Sequence, residues 1–204
     1  MENKYSKFLL LAGLFFTTLL VANIISVKVI MVWGIVLPAA VICYPWTYAF
    51  TDVINEVWGK ERAKKVVLYG FLFSIVALAF YQVAMLLPSA PFWGEQQAFV
   101  TILGASSRII LASMIAYLIS QTVDVYIFNT IKEKMQGKHL WVRNNTSTIF
   151  SQGIDTVIFI SLAFWGYMPL SALLAMMGWQ YVVKVGIAVV DTPLVYGLAK
   201  WAKS

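Results

Sequence analysis

Charge is scarce in this chain. Only 12% of its 204 residues are Asp, Glu, Lys or Arg, half the share that soluble domains carry, which excludes an ordinary water-facing surface. Cysteine is limited to Cys43, so neither an internal disulfide nor a Cys-rich metal site can form. Histidine is limited to His139, in the basic stretch from Lys132 to Arg143, and a solitary imidazole is a poor start for a metal site. No Gly-Lys phosphate loop occurs, so any ATP would be hydrolysed by another chain. Neither a metal nor a cofactor is expected.

What remains is apolar. Hydrophobic residues make up 61% of the chain and the mean hydropathy is +0.80, the composition of an integral membrane protein. The net charge of +6 does not point to nucleic acid, because the basic residues fall between apolar runs instead of forming one patch. The first run has no small-residue cleavage site and others like it follow, so it reads as a first span and not as a signal peptide.

Runs long enough to cross a bilayer, about 20 residues each, are read at Phe8–Val27, Ile35–Phe50, Val66–Leu87, Ile109–Ile131, Ser147–Tyr167 and Ala175–Ala199. Lys4 and Lys7, then Lys60 to Lys65, then Lys132 to Arg143, then Lys200 and Lys203 all fall on one side of this count. Lys28 and Arg108 stand on the other, near span ends. The positive-inside bias then predicts an all-α fold of six transmembrane helices surrounded by lipid, with both termini cytoplasmic. The second run is short, and Pro38 and Pro45 interrupt it, so a bent or broken helix is expected. Beyond it Asp52 and Glu56 stand one helical turn apart; they are either part of a site at an interrupted helix or acids facing the cytosol.

One short pattern occurs twice inside apolar runs: Ser120-Gln121-Thr122-Val123-Asp124 and Ser151-Gln152-Gly153-Ile154-Asp155. Gln and Asp three apart share a helix face, and a carboxylate in a membrane costs enough to suggest a function. Tyr117, Gln121, Asp124 and Phe128 follow one face; Thr148, Gln152, Asp155 and Phe159 repeat it; Tyr181, Lys184 and Asp191 form a third polar stripe. Counted from the basic residues, Asp124, Asp155 and Asp191 lie roughly 12 to 18 Å deep, and Asn23 and Lys184 about 24 Å deep. The bland alternative is hydrogen-bonded glue between helices. Arg108 can simply snorkel, and Tyr44, Trp46, Tyr48 and Trp179 either stack a planar ligand or belong to the aromatic belt.

Several short motifs stand in order along nearly the whole chain. They are Ala22-Asn23; Tyr44-Pro45 leading to Thr51-Asp52 and Gly59; Arg108 through Ala112-Ser113, Ala116-Tyr117 and Gln121 to Asp124-Val125 and Phe128-Asn129; Thr146-Ser147-Thr148; Asp155-Thr156; Ala163-Phe164; and Tyr181, Lys184-Val185, Pro193 and Tyr196-Gly197. In this spacing the chain resembles the queuosine-precursor transporter family, small six-span proteins once grouped with vitamin-uptake transporters. The resemblance implies a single transporter domain over residues 1–204 that takes up 7-cyano-7-deazaguanine and 7-aminomethyl-7-deazaguanine across the inner membrane for salvage into the queuosine of transfer RNA, and no enzymatic activity.

A guanine-like base offers neighbouring N–H donors to a carboxylate, a carbonyl acceptor to a Lys or amide, and two faces to aromatic rings. The substrate-binding set is therefore Asn23, Asp52, Gln121, Asp124, Gln152, Asp155 and Lys184. Tyr44, Trp46, Tyr48, Glu56, Arg108, Tyr117, Trp179 and Asp191 rank second. Two rival readings stand beside it. A binding subunit of an ATPase-powered vitamin transporter would dock through small residues four apart on its first span, where this chain has Ala12 and Phe16, and Gly13 and Thr17. An intramembrane aspartyl protease would use Asp124 and Asp155 as a pair, but Gly153-Ile154-Asp155 lacks the Gly-x-Gly-Asp pattern of such enzymes. A purely structural membrane protein is a third alternative. Monomer and homodimer are both compatible with the sequence.

Overall fold

The computed structural model describes residues 2–134, 140–190 and 192–203. Lys138, His139 and Asp191 lie outside the described residues, as do the side chains of Asp124, Phe128, Lys132, Arg143 and Thr148. Along the chain come α1 (Glu2–Ile25), β1 (Val29–Val32), β2 (Ile35–Pro38), a 3-10 helix (Ala39–Ile42), α2 (Tyr44–Trp58), α3 (Lys60–Leu86), α4 (Gln96–Lys134), α5 (Leu140–Phe164), α6 (Leu170–Val190) and α7 (Thr192–Lys203). The all-α membrane class stands, with a small hairpin added. Among the described residues, four helical stretches are long and apolar enough to cross a membrane: Lys4–Ile25, Lys60–Leu86, Gln96–Val123 and Leu170–Ile187; α5 carries a shorter one, Ile149–Phe164.

Two expected spans are corrected. Residues 35–50 are not one bent helix, because Ile35–Pro38 pairs antiparallel with Val29–Val32, with Val32 opposite Ile35. Trp33 and Gly34 close the two-residue turn at φ 51° and 80°, the left-handed values that the twist of a hairpin demands. The β-branched Val and Ile residues on both sides favour strand. Helix resumes only at Tyr44, with Pro45 in its first turn, where a missing N–H costs nothing.

The fourth span starts earlier than expected, at Gln96, so Arg108 lies twelve residues inside α4, about 18 Å from its start, and not at its external end. The sixth expected span, Ala175–Ala199, falls on α6 and α7, and Asp191 between them lies outside the described residues.

Contacts divide the chain into two compact units, Met1–Ile110 with Val182–Ser204, and Leu111–Tyr181. In the first, α1, α2, α3 and α7 enclose a core that includes Leu11, Phe15, Phe50, Ile54, Val66 and Ala202. Helices α1 and α3 run parallel, since their contacts climb together. At the lower level a Cβ on Gly70 would stand 2.9 Å from Leu19 Cδ2 and 3.0 Å from Phe15 Cε1. Phe16 and Phe73 meet edge to face at 4.7 Å, and Asn23 Nδ2 donates to Ser74 Oγ at 3.4 Å. A larger residue at position 70 would force the Leu19 and Phe15 side chains to shift, and close approach is what holds helices together in lipid.

The basic end of this unit is stitched by long-range contacts. Phe8 packs edge to face on Trp58 at 5.5 Å. Lys7, only 9% exposed, donates from Nζ to the Trp201 carbonyl at 2.9 Å and lies 5.2 Å from the Trp201 ring centre. It thus places a cation on the last carbonyls of α7, the favourable sign for a helix C-terminus. Lys203 Nζ pairs with Glu56 Oε1 at 2.6 Å.

Candidate functional site

The smaller unit holds both copies of the repeat. Ser120 in α4 is fourteen residues before Lys134, and Asp155 in α5 is fifteen after Leu140, so each lies roughly 21 to 22 Å along its helix from the α4–α5 connection. Ser120 Oγ donates to Asp155 Oδ1 at 3.4 Å and to the Tyr117 carbonyl at 3.1 Å. Ser120 is buried and Asp155 half-buried. On α5 the face carrying Ser151 and Asp155 turns to α4, while Ile149 and Gly153 lie against Tyr181 of α6. The Tyr181 hydroxyl donates to the Ile149 carbonyl at 3.4 Å, and a Cβ on Gly153 would meet the Tyr181 ring at 3.8 Å. Gln152, half-buried, falls between these two faces by the helical step of about 100°.

The matching stripe on α4 is rotated from the one expected. Ala112, Ala116 and Ser120 are buried, Tyr117 is half-buried and Gln121 is exposed. Small residues four apart mark the packed side of a membrane helix. Ser120 was not among the sequence candidates, although its signal was present: a serine opens each copy of the repeat. Trp179, also in this unit, is 40% exposed.

The other candidates belong to the larger unit. Asn23 is buried and bonded to Ser74, another partner that sequence reasoning missed. Ser74 Oγ in turn donates to the Gly70 carbonyl. Lys184 is 8% exposed, fourteen residues into α6. Tyr44 and Tyr48 are half-buried and their rings stack at 6.3 Å, whereas Trp46 is 48% exposed. Asp52 is exposed and Arg108 half-buried.

Glu56 sits at the outer rim of α2, where the hydrogen bond and charge of Lys203 hold its carboxyl below the usual carboxylate range. A carboxylate with a depressed pKa contributes stability above its unfolded pKa, about 4.3, and loses that contribution as pH falls through the lower folded value. Lys203→Ala should therefore lower the thermal midpoint slightly at pH 7 and leave it unchanged well below pH 4. Equal shifts at both pH values would show that the ion pair is not the cause. The pairing is exposed, so the effect is small.

A groove of about 310 Å³ opens at the α3–α4 connection, lined mainly by Leu87, Pro88, Phe92, Trp93 and Phe99. It contains no candidate residue, and the amide of Gln96 at its edge is already donated to the Met85 carbonyl. Apart from Ser89 and Gln96, such walls offer no polar side chain to the edge of a base. Among the described residues no cluster of His, Cys, Asp and Glu could hold a metal.

Residues 38–198 match the family described as "Putative vitamin uptake transporter". A protein of Bacillus subtilis (strain 168) named "Probable queuosine precursor transporter" is 32% identical over 180 residues, 88% of this chain and 79% of that protein. The "Queuosine precursor transporter" of Escherichia coli (strain K12) is 28% identical over 125 residues, 60% of this chain and 52% of its own length. A "Probable queuosine precursor transporter" of Haemophilus influenzae is 30% identical over 122 residues, 60% of this chain and 49% of its own. The matches thus span about half the length of the last two relatives. No solved structure matches the chain.

Proposed function

The chain belongs to the queuosine-precursor transporter family, and on that premise we propose that it carries 7-cyano-7-deazaguanine and 7-aminomethyl-7-deazaguanine across the inner membrane. The observation that carries this reading is the match to the Bacillus relative along 88% of the chain. The protein acts as a transporter and not as an enzyme. Asp155, held inside the smaller unit by Ser120, supplies a carboxylate for the N–H edge of the base, together with Asp124. Gln121 and Gln152 add amides in the smaller unit; in the larger unit Asn23, Asp52 and Lys184 are the polar candidates. Tyr44, Tyr48 and Trp179 are the stacking candidates.

Labelled 7-cyano-7-deazaguanine should accumulate in cells that cannot make it only when this protein is expressed. Accumulation equal to that of the empty-vector control would remove the reading.

The same proposal counts six crossings in one transporter domain. Besides the four long apolar stretches, α2 with its hairpin and 3-10 lead-in makes a short crossing and α5 another. Lys7, Lys60 and Lys203 gather at one end of the larger unit, which supports cytoplasmic termini. A cysteine introduced at Gln136 in a Cys43→Ser background should then react only with a membrane-permeant thiol reagent. Labelling from outside intact cells by an impermeant reagent would invert the topology.

A further inference from the structure

We propose that Ser120 is a positioning residue that sets the plane of the Asp155 carboxylate for the N–H edge of the substrate. The inference rests on the reading of Asp155 as a substrate-binding carboxylate and goes beyond it by assigning a role to a residue that touches no substrate. A serine hydroxyl has one proton to give. Here that proton has two acceptors, the Tyr117 carbonyl at 3.1 Å and Asp155 Oδ1 at 3.4 Å.

The first acceptor belongs to the helical ladder of α4 and needs no second donor. The second is a carboxylate deep in an apolar stretch, where a hydrogen bond to a charge is worth more than one to a neutral group. An ionised carboxylate can accept about four hydrogen bonds, so the serine fixes one oxygen without exhausting the group. Ser120 is 6% exposed, so its hydroxyl is shielded from bulk water that would otherwise compete for it. The hydroxyl is therefore able to swing its hydrogen bond from the Tyr117 carbonyl to Asp155 Oδ1 when the base arrives, its proton staying on Ser120.

The test uses full-length protein purified in detergent and two ligands, 7-cyano-7-deazaguanine and its analogue lacking the 2-amino group. Ser120→Ala should weaken binding of the first roughly tenfold, the lower end of what a bond to a charged group contributes. The analogue, which offers the carboxylate one donor fewer, should lose only about twofold to threefold, the non-additivity that marks a shared interaction. Ser120→Thr, which keeps the hydroxyl, should bind both ligands as the unaltered protein does.

Equal losses for both ligands, or no loss for either while Asp155→Asn abolishes binding, would overturn the proposal. If the unaltered protein binds neither ligand, it is the functional reading that fails, and a substrate-free measurement then decides this one. The infrared carboxylate band identified by its disappearance in Asp155→Asn should move in Ser120→Ala and stay in place in Ser120→Thr. A band unmoved in both would refute the positioning role.

Discussion

Asp155→Asn is expected to reduce uptake of 7-cyano-7-deazaguanine to background while the protein still reaches the membrane in normal amount. Asparagine has the shape of aspartate, and its amide oxygen can still accept the Ser120 hydroxyl at the observed 3.4 Å position, so the α4–α5 contact survives. What disappears is the charge, and with it the ability to accept two adjacent N–H groups. Each hydrogen bond to a charged group contributes about 1.5 to 3 kcal/mol, so losing two weakens binding by roughly a hundredfold or more. Uptake and the unfolding temperature of the purified protein should be measured together. Normal uptake by a folded variant would take Asp155 out of the site; loss of both would make it a structural residue, the glue reading of a buried polar group.

The second large effect is expected at Lys184. This lysine is 8% exposed in a helix whose apolar stretch runs from Leu170 to Ile187. A charge held at that burial persists only with compensating contacts, because desolvating an ammonium costs several kcal/mol. Methionine fills nearly the same volume without the charge, so Lys184→Met leaves packing close to intact while removing the cation proposed to serve the substrate. Affinity for 7-cyano-7-deazaguanine should fall at least tenfold, with Lys184→Arg losing less because the charge is kept. Ligand-induced thermal shift on the purified variants reads this directly. An unchanged shift in Lys184→Met would leave the lysine a purely structural cation.

The membrane class and the helical content were legible in the sequence because both are sums over local properties. Apolar run length fixes which segments can leave water, and scarce charge forbids the alternative. The repeated Ser-Gln-x-x-Asp pattern was equally legible, since periodicity alone puts Gln and Asp of each copy on one side of a helix. One of the two corrections also had a local cause that run length conceals: Trp33-Gly34 turns the chain back into a hairpin within an apolar stretch.

Partnership was not legible, because it joins residues far apart in the chain and depends on which faces the packed helices present. Ser120 could have given its proton only to its own helix; the approach of α5 makes Asp155 the second acceptor. Asn23, a sequence candidate for the base, meets Ser74 because Gly70 lets α1 and α3 close on each other. Glu56 meets Lys203, and Lys7 the end of α7, because the same core draws α2 and α7 onto α1. Composition and period specify what each helix carries; the packing of small residues between helices decides which of those groups meet.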